Sequence, residues 1–270
     1  MKNKAISYPY VAWMALFVAA PIVMITVYAF IGTDGGFTLS NFATMFQFTA
    51  AFGRSFLLAA VSTVICLLIG YPLAFFLARE RGWIHRMATM LIMLPMWMNF
   101  LLRTYSWTFL LERHGLINRF FSLFGLGPFQ MIDSQGAIVL GMVYNFLPYM
   151  ILPIFSVIDK IDPKVIEAAQ DLGANSAGVF RRVTFPLSLP GVLSGITMVF
   201  IPAVSTFAIS GLLGGGKTLL LGNLIDMQFL GNAYNPHLGS AISLVMMVIV
   251  MISMAIMNRF GDGDQQGVTL

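Results

Sequence analysis

Residues 55–78 read SFLLAAVSTVICLLIGYPLAFFLA. This run of 24 residues contains no charged side chain. A helix rises 1.5 Å per residue, so about 20 apolar residues cross the roughly 30 Å hydrocarbon core of a bilayer. The run therefore reads as a spanning helix. Working outward, the pattern recurs at 9–31, 87–110, 135–158, 188–213 and 238–258. Six candidate spans make the chain an all-α polytopic membrane protein. The third contains Arg103, the fifth Pro202, and the fourth Pro148 and Pro153. Proline is tolerated inside a membrane where neighbouring helices satisfy the freed backbone groups. No period of 20–50 residues repeats, which excludes a solenoid.

Composition agrees. The 270 residues are 58% hydrophobic and 10% charged, with a mean hydropathy of +0.84. Soluble domains carry about 25% charged residues. A net charge of +4 and a pI near 9.3 reflect Lys and Arg gathered in cytoplasmic loops rather than a nucleic-acid partner. The one cysteine, Cys66, lies in an apolar run, so an intrachain disulfide is excluded. The N-terminal segment begins basic and turns apolar like a signal peptide. Its apolar run is too long for one, and no small-x-small cleavage site follows, so a retained first span is expected.

Orientation follows from the basic residues. With the N-terminus in the cytoplasm, the inside segments hold ten of the 15 Lys and Arg, the outside segments four, and Arg103 is left within a span. Both termini are then inside. Trp13 and Trp83 fall near the inner interface and Trp107 near the outer one.

One octapeptide argues for a different protein. Gly211–Thr218 reads GLLGGGKT and fits the phosphate-cradling spelling G-x-x-x-x-G-K-[ST]. That chemistry needs a strand before the loop and a helix after it. Here the preceding segment reads as a membrane helix, and the loop emerges on the outer face, away from cytoplasmic ATP. The match is read as a fortuitous glycine-rich turn. No His, Cys, Asp and Glu cluster has metal-ligand spacing, and no Ser/His/Asp set converges, so no enzyme site is expected.

The longest inside loop, 159–187, has local structure of its own. Asp162 suits an N-cap and Pro163 the first helical position. PKVIEAAQDLGA then forms a short amphipathic helix, with Val165, Ala168, Ala169 and Leu172 on its apolar side. Gly173 suits a stop or turn. Such a helix either docks in another protein's groove or lies at the lipid headgroups.

Glu167-Ala168-Ala169, then Gly173 after three residues, then VTFP ending at Pro186 after nine more, resembles the EAA loop of ABC importer permeases. Val183 and Phe185 stand where the pattern has Ile and Leu. The resemblance implies a type I (MetI-like) permease fold. It also implies a coupling helix seated in a cleft of a separate cytoplasmic ATPase, with Glu167 paired to a basic residue there and Gly173 permitting the turn. ATP and Mg would sit on that partner and no cofactor on this chain.

The stretches 70–82, 94–118 and 212–230 look like the permeases of spermidine/putrescine importers, the LPMWMN…RTY block most specifically. The implied assembly is this chain with a second homologous permease, two ATP-binding cassette subunits and an extracytoplasmic substrate-binding protein, in a bacterial inner membrane. Transport would proceed by alternating access.

Candidate pathway residues follow from chemistry. Asn99, Arg103 and Ser106 recur at helical spacing on one face. Intramembrane Arg is a functional hypothesis by default, but Arg103 is near the outer boundary, where snorkelling or a structural pairing competes. Trp97 and Tyr105 offer aromatic faces to a cation. Tyr144 and Asn145 on the fourth span, and Ser205, Thr206 and Ser210 on the fifth, are further polar candidates; small hydroxyls also serve helix packing. No Asp or Glu lies within the spans; the acids nearest the outer face are Glu112, Asp133 and Asp226. The resembling permeases can carry an acid at the position of Gly211, and this chain departs from them there. Either partner subunits supply the charge for a polyamine, or the solute is another small cationic or amino-acid-like molecule. A secondary transporter or channel would show paired repeats or ionisable relays, and neither is evident.

Overall fold

The computed structural model describes residues 8–261 apart from 33, 81 and 232. Lys2, Lys4 and Arg81, three of the basic residues used for orientation, lie outside the described residues. Helices form nearly all of the rest. No strand occurs among the described residues, only an isolated bridge between Ile31 and Phe37.

Five helical stretches are long and apolar enough to cross a membrane: Tyr8–Phe30, Ser40–Arg79, Gln135–Ile158, Ser176–Ser205 and Pro236–Met257. They are the first, second, fourth, fifth and last spans. The third is a broken pair, His85–Trp97 and Phe100–Ser122, bent by 93°. The span expected over 87–110 is thus a bent pair of helices rather than one continuous helix. Met98 and Asn99 explain it. The first half runs through Pro95 to Trp97, Met98 and Asn99 take extended backbone, and Asn99 restarts the helix as its N-cap.

The fifth span also differs from the expected 188–213. It starts at Ser176 and ends at Ser205, and Ala208–Leu213 is a separate short helix. Pro186 does not stop the helix. A π-turn at Phe180–Thr184 precedes it, with the Phe185 amide donating to the Phe180 carbonyl. The first span does the same before Pro21, with a π-turn at Ala15–Ala19. Widening the helix one residue ahead of proline relieves the ring's clash with the carbonyl four residues back.

The second, fourth and fifth spans form the core. Leu58, Cys66, Met142, Met150, Ile154 and Val199 are buried between them. Glycines set their spacing. A Cβ on Gly195 would sit 2.8 Å from Met150 Sδ, and one on Gly191 would sit 2.9 Å from the Pro153 carbonyl oxygen. In lipid, such close backbone approach replaces the hydrophobic drive that joins helices in water. Tyr71 Oη and Ser188 Oγ, 2.9 Å apart, add a hydrogen bond across the second and fifth spans. The first span packs on the last, where the Tyr28 and His237 rings stack 5.3 Å apart. Its Trp13, Leu16 and Phe17 face outward, as a lipid-facing helix requires.

Candidate coupling surface and translocation path

The helix after the fourth span runs Pro163–Asp171. Asp162 caps it, its carboxylate accepting from the Lys164 amide at 2.9 Å. Gly173 ends it at φ +85°, with the Ala174 amide donating to the Ala169 carbonyl at 3.0 Å and the Gly173 amide to Gln170 at 2.8 Å. Only glycine takes this left-handed cap without strain. Asn175 then starts the next helix by accepting from the Gly178 amide. A helix capped at both ends and fixed between two spans is a rigid surface feature.

None of its residues is buried. Ile166 and Ala169 turn inward, whereas Val165, Glu167 and Ala168 are exposed and Leu172 is 90% exposed. The apolar side expected from spacing thus splits, and Ala169 alone of the four is half-buried. Glu167, Ala168, Leu172 and Gly173 share one exposed element. Pro186 does not join them; it lies on the fifth helix beyond the π-turn.

The bend of the third span gathers the second group. Asn99 was expected to share a helix face with Arg103. Instead its Oδ1 accepts from the Leu101 and Leu102 amides at 2.9 and 3.2 Å. Arg103 does not snorkel. It is 6% exposed, and its guanidinium reaches back across the bend to donate to the Pro95 carbonyl. It also lies 5.8 Å from the Tyr144 ring centroid. The same carbonyl accepts from the Met98 amide at 3.3 Å, and the clamp adds a second bond that ties the two half-helices together. Trp97 and Tyr105 flank the bend and are 81% and 48% exposed.

Asn145 on the fourth span is fully buried. Its Nδ2 donates to the Gly141 carbonyl at 2.8 Å and to Thr104 Oγ1 at 3.4 Å, while its Oδ1 has no partner. Tyr144 meets Trp107 edge-on at 5.3 Å. Ser205 donates back to the Ile201 carbonyl at 3.2 Å, at the last turn of the fifth helix. Thr206, in extended backbone, ends that helix.

Ser210 is 1% exposed and donates to Asn223 Oδ1. Asn223 Nδ2 in turn donates to the Phe207 carbonyl at 2.9 Å. Sequence reasoning missed Asn223. A lone amide at the start of the Leu221–Phe229 helix was the available signal. A Cβ on Gly211 would meet Asn223 Nδ2 at 3.6 Å, so a side chain has room there.

Gly211–Thr218 follows no strand. Its first residues end the Ala208–Leu213 helix, and a turn at Gly214–Lys217 follows. Lys217 Nζ lies 4.0 Å from Asp133 Oδ2. IFSVID, the nearest thing to a Walker B strand, is the helical end of the fourth span.

The chain is 35% identical over 251 residues to the spermidine/putrescine transport system permease PotB of Haemophilus influenzae, covering 89% of this chain and 87% of that protein. It is 34% identical to the Escherichia coli protein of the same name, over 89% and 90%. A crystal structure of a bacterial ABC transporter that imports the acidic polysaccharide alginate superposes with a TM-score of 0.81, covering 97% of this chain and 95% of that one. At 16% identity that likeness shows the fold alone. The family model described as binding-protein-dependent transport system inner membrane component matches residues 70–262. The broken third span, the capped surface helix and the core glycines thus belong to a multi-pass transport permease, and the chain is a member of the binding-protein-dependent transport system inner membrane component family.

Proposed function

We propose that this chain is one of two permease subunits of an ATP-driven importer for putrescine and spermidine. Near full-length identity to spermidine/putrescine permeases supports the substrate. The single observation carrying the mechanism is the exposed, doubly capped Pro163–Asp171 helix with Glu167 on its surface. A separate ATPase seats that helix in a cleft, with Glu167 against a basic residue. The fifth helix begins three residues beyond Gly173 and spans 30 residues, about 45 Å at 1.5 Å each. Force on the short helix therefore moves a long rigid rod, and the core alternates its access.

The partners in this reading are a second homologous permease, two ATP-binding cassette subunits that hold ATP and Mg, and an extracytoplasmic binding protein. The membrane is the bacterial inner membrane, with both termini cytoplasmic. Gly211–Thr218 binds no nucleotide, since helix rather than strand precedes it. Trp97, Tyr105, Asn99 and Ser210 line or support the path around the bend, with Arg103 as its clamp. In this reading the second permease and the binding protein supply the carboxylates for a polycation, because a buried cation requires a paired charge and no Asp or Glu lies within the spans.

Uptake of radiolabelled putrescine and spermidine, in cells expressing the whole transporter with and without this chain, tests the reading. Uptake that is lost without the chain and restored with it is expected. An assembly that hydrolyses ATP but takes up no polyamine would overturn the substrate and point to a less cationic solute.

A further inference from the structure

The segment between the third and fourth spans carries an apolar surface that neither the coupling helix nor the path uses. Its short helix, Leu116–Ser122, ends the outer half of the bent third span, Phe100–Ser122. At 3.6 residues per turn, Leu116, Phe120 and Phe124 fall on one side, and Arg119 and Ser122 on the other. All three apolar side chains are exposed, and Leu123 beside them is 81% exposed.

This surface is held in a fixed shape. Asn118 is 3% exposed, and its side chain closes the segment on itself. Its Nδ2 donates to the Glu112 and Phe129 carbonyls at 3.0 and 2.9 Å, and its Oδ1 accepts from the Phe129 amide at 2.9 Å. Phe121 meets Phe129 edge-on at 5.7 Å, and Phe120 meets Phe124 at 5.3 Å. The root of the segment is thus pinned at Glu112, directly after the outer half-helix ends at Leu111, and its apolar tip cannot fold away.

Charge decides what covers it. Between Glu112 and Asp133 the sequence has no acid, and it holds Arg113, His114 and Arg119. Both arginines are exposed, and among the described residues neither is in an ion pair. Phe and Leu on one side of a helix with Arg on the other is the pattern of a helix lying in a membrane surface, held by apolar burial and by anionic headgroups. A guanidinium matches a phosphate with two parallel donors. We infer that residues 116–129 form an interfacial anchor on the outer leaflet, with Phe120, Leu123 and Phe124 below the headgroups and Arg113 and Arg119 on the phosphates of anionic lipid. The choice of leaflet rests on the proposed orientation. The lipid contact rests on this surface alone and is independent of the cargo.

The test uses the complete purified transporter in nanodiscs of phosphatidylcholine, with and without phosphatidylglycerol. Cys66 is buried, so a single introduced cysteine takes a spin label once the other subunits are made cysteine-free. At Phe120→Cys the label should collide with oxygen at least twofold more than with a water-soluble nickel chelate. At Ser122→Cys, on the opposite side, the preference should reverse. Removing phosphatidylglycerol, or substituting Arg113→Gln with Arg119→Gln, should cut the oxygen preference at position 120 at least twofold. A nickel preference at both positions overturns the anchor, since the surface then faces water. Exclusion of both reagents at position 120 overturns it in favour of the second permease, and exclusion only after the binding protein is added overturns it in favour of that protein. An oxygen preference that ignores both phosphatidylglycerol and the arginine substitutions overturns the phosphate contacts. In spheroplasts, Ser122→Cys should react with a membrane-impermeant maleimide. Reaction only in inverted vesicles overturns the outer leaflet and the proposed orientation together, whereas reaction in spheroplasts without an oxygen preference at position 120 overturns the anchor alone.

Discussion

Arg103 shows what a single residue contributes to this fold. Its guanidinium donates to the carbonyl of Pro95 across the 93° bend, so Arg103→Met removes the hydrogen bond that ties the two half-helices together. A hydrogen bond from a charged group contributes about 1.5–3 kcal/mol. The variant should lower the unfolding midpoint in detergent, and Arg103→Lys should recover part of the loss; an unchanged midpoint would deny the clamp. Gly195 acts through absence. With Met150 Sδ 2.8 Å from where a Cβ would stand, Gly195→Leu should destabilise by about 1–3 kcal/mol through overpacking, read by the same unfolding assay. Arg103 was visible in the sequence as an anomaly, a charge in an apolar run. Its partner was not, because a bend that brings residues eight apart together breaks the helical spacing from which partners are inferred. Asn99 was misread for the same reason: cap geometry, not face, decided its role.

At the scale of elements, the short surface helix was the most legible part of the chain. Asp162, Pro163 and Gly173 mark its ends by local backbone chemistry that tertiary contacts do not override. Gly173→Val tests that logic. A branched residue at φ +85° is strained by roughly 1–2 kcal/mol, so the helix should end differently and pull-down of the ATPase by the chain should weaken severalfold. Equal recovery would mean that the turn plays no part in docking. Apolar runs likewise revealed the uninterrupted spans. The fifth was misplaced at both ends. Its start was set at 188, past Pro186, since a π-turn that absorbs a proline has no sequence mark. The break at Thr206 falls beside Ser205, and hydroxyl residues are also common inside packed membrane helices, so they do not mark a break. The apolar side read for the Pro163–Asp171 helix splits: Ile166 and Ala169 turn inward, while Val165, Ala168 and Leu172 are exposed. The spacing fixes which residues share a face and leaves open what that face meets.

For the whole molecule, the exposed surface points beyond a lone subunit. Asn99, Tyr105 and Ser106 are exposed at the bend of the third span. Polar groups at membrane depth face protein or water rather than lipid, which is what a path shared with a second permease provides. Native mass spectrometry of the purified transporter should find one copy of this chain beside one homologous permease and two ATPase subunits; two copies of this chain would refute the heterodimer. The central claim is that ATP is spent on a separate protein and its work enters through the Pro163–Asp171 helix. The most direct measurement is radiolabelled putrescine uptake in cells carrying Glu167→Lys, with the amount of chain in the membrane quantified alongside. The account predicts wild-type insertion and uptake reduced at least tenfold. Unchanged uptake at equal membrane abundance would contradict it.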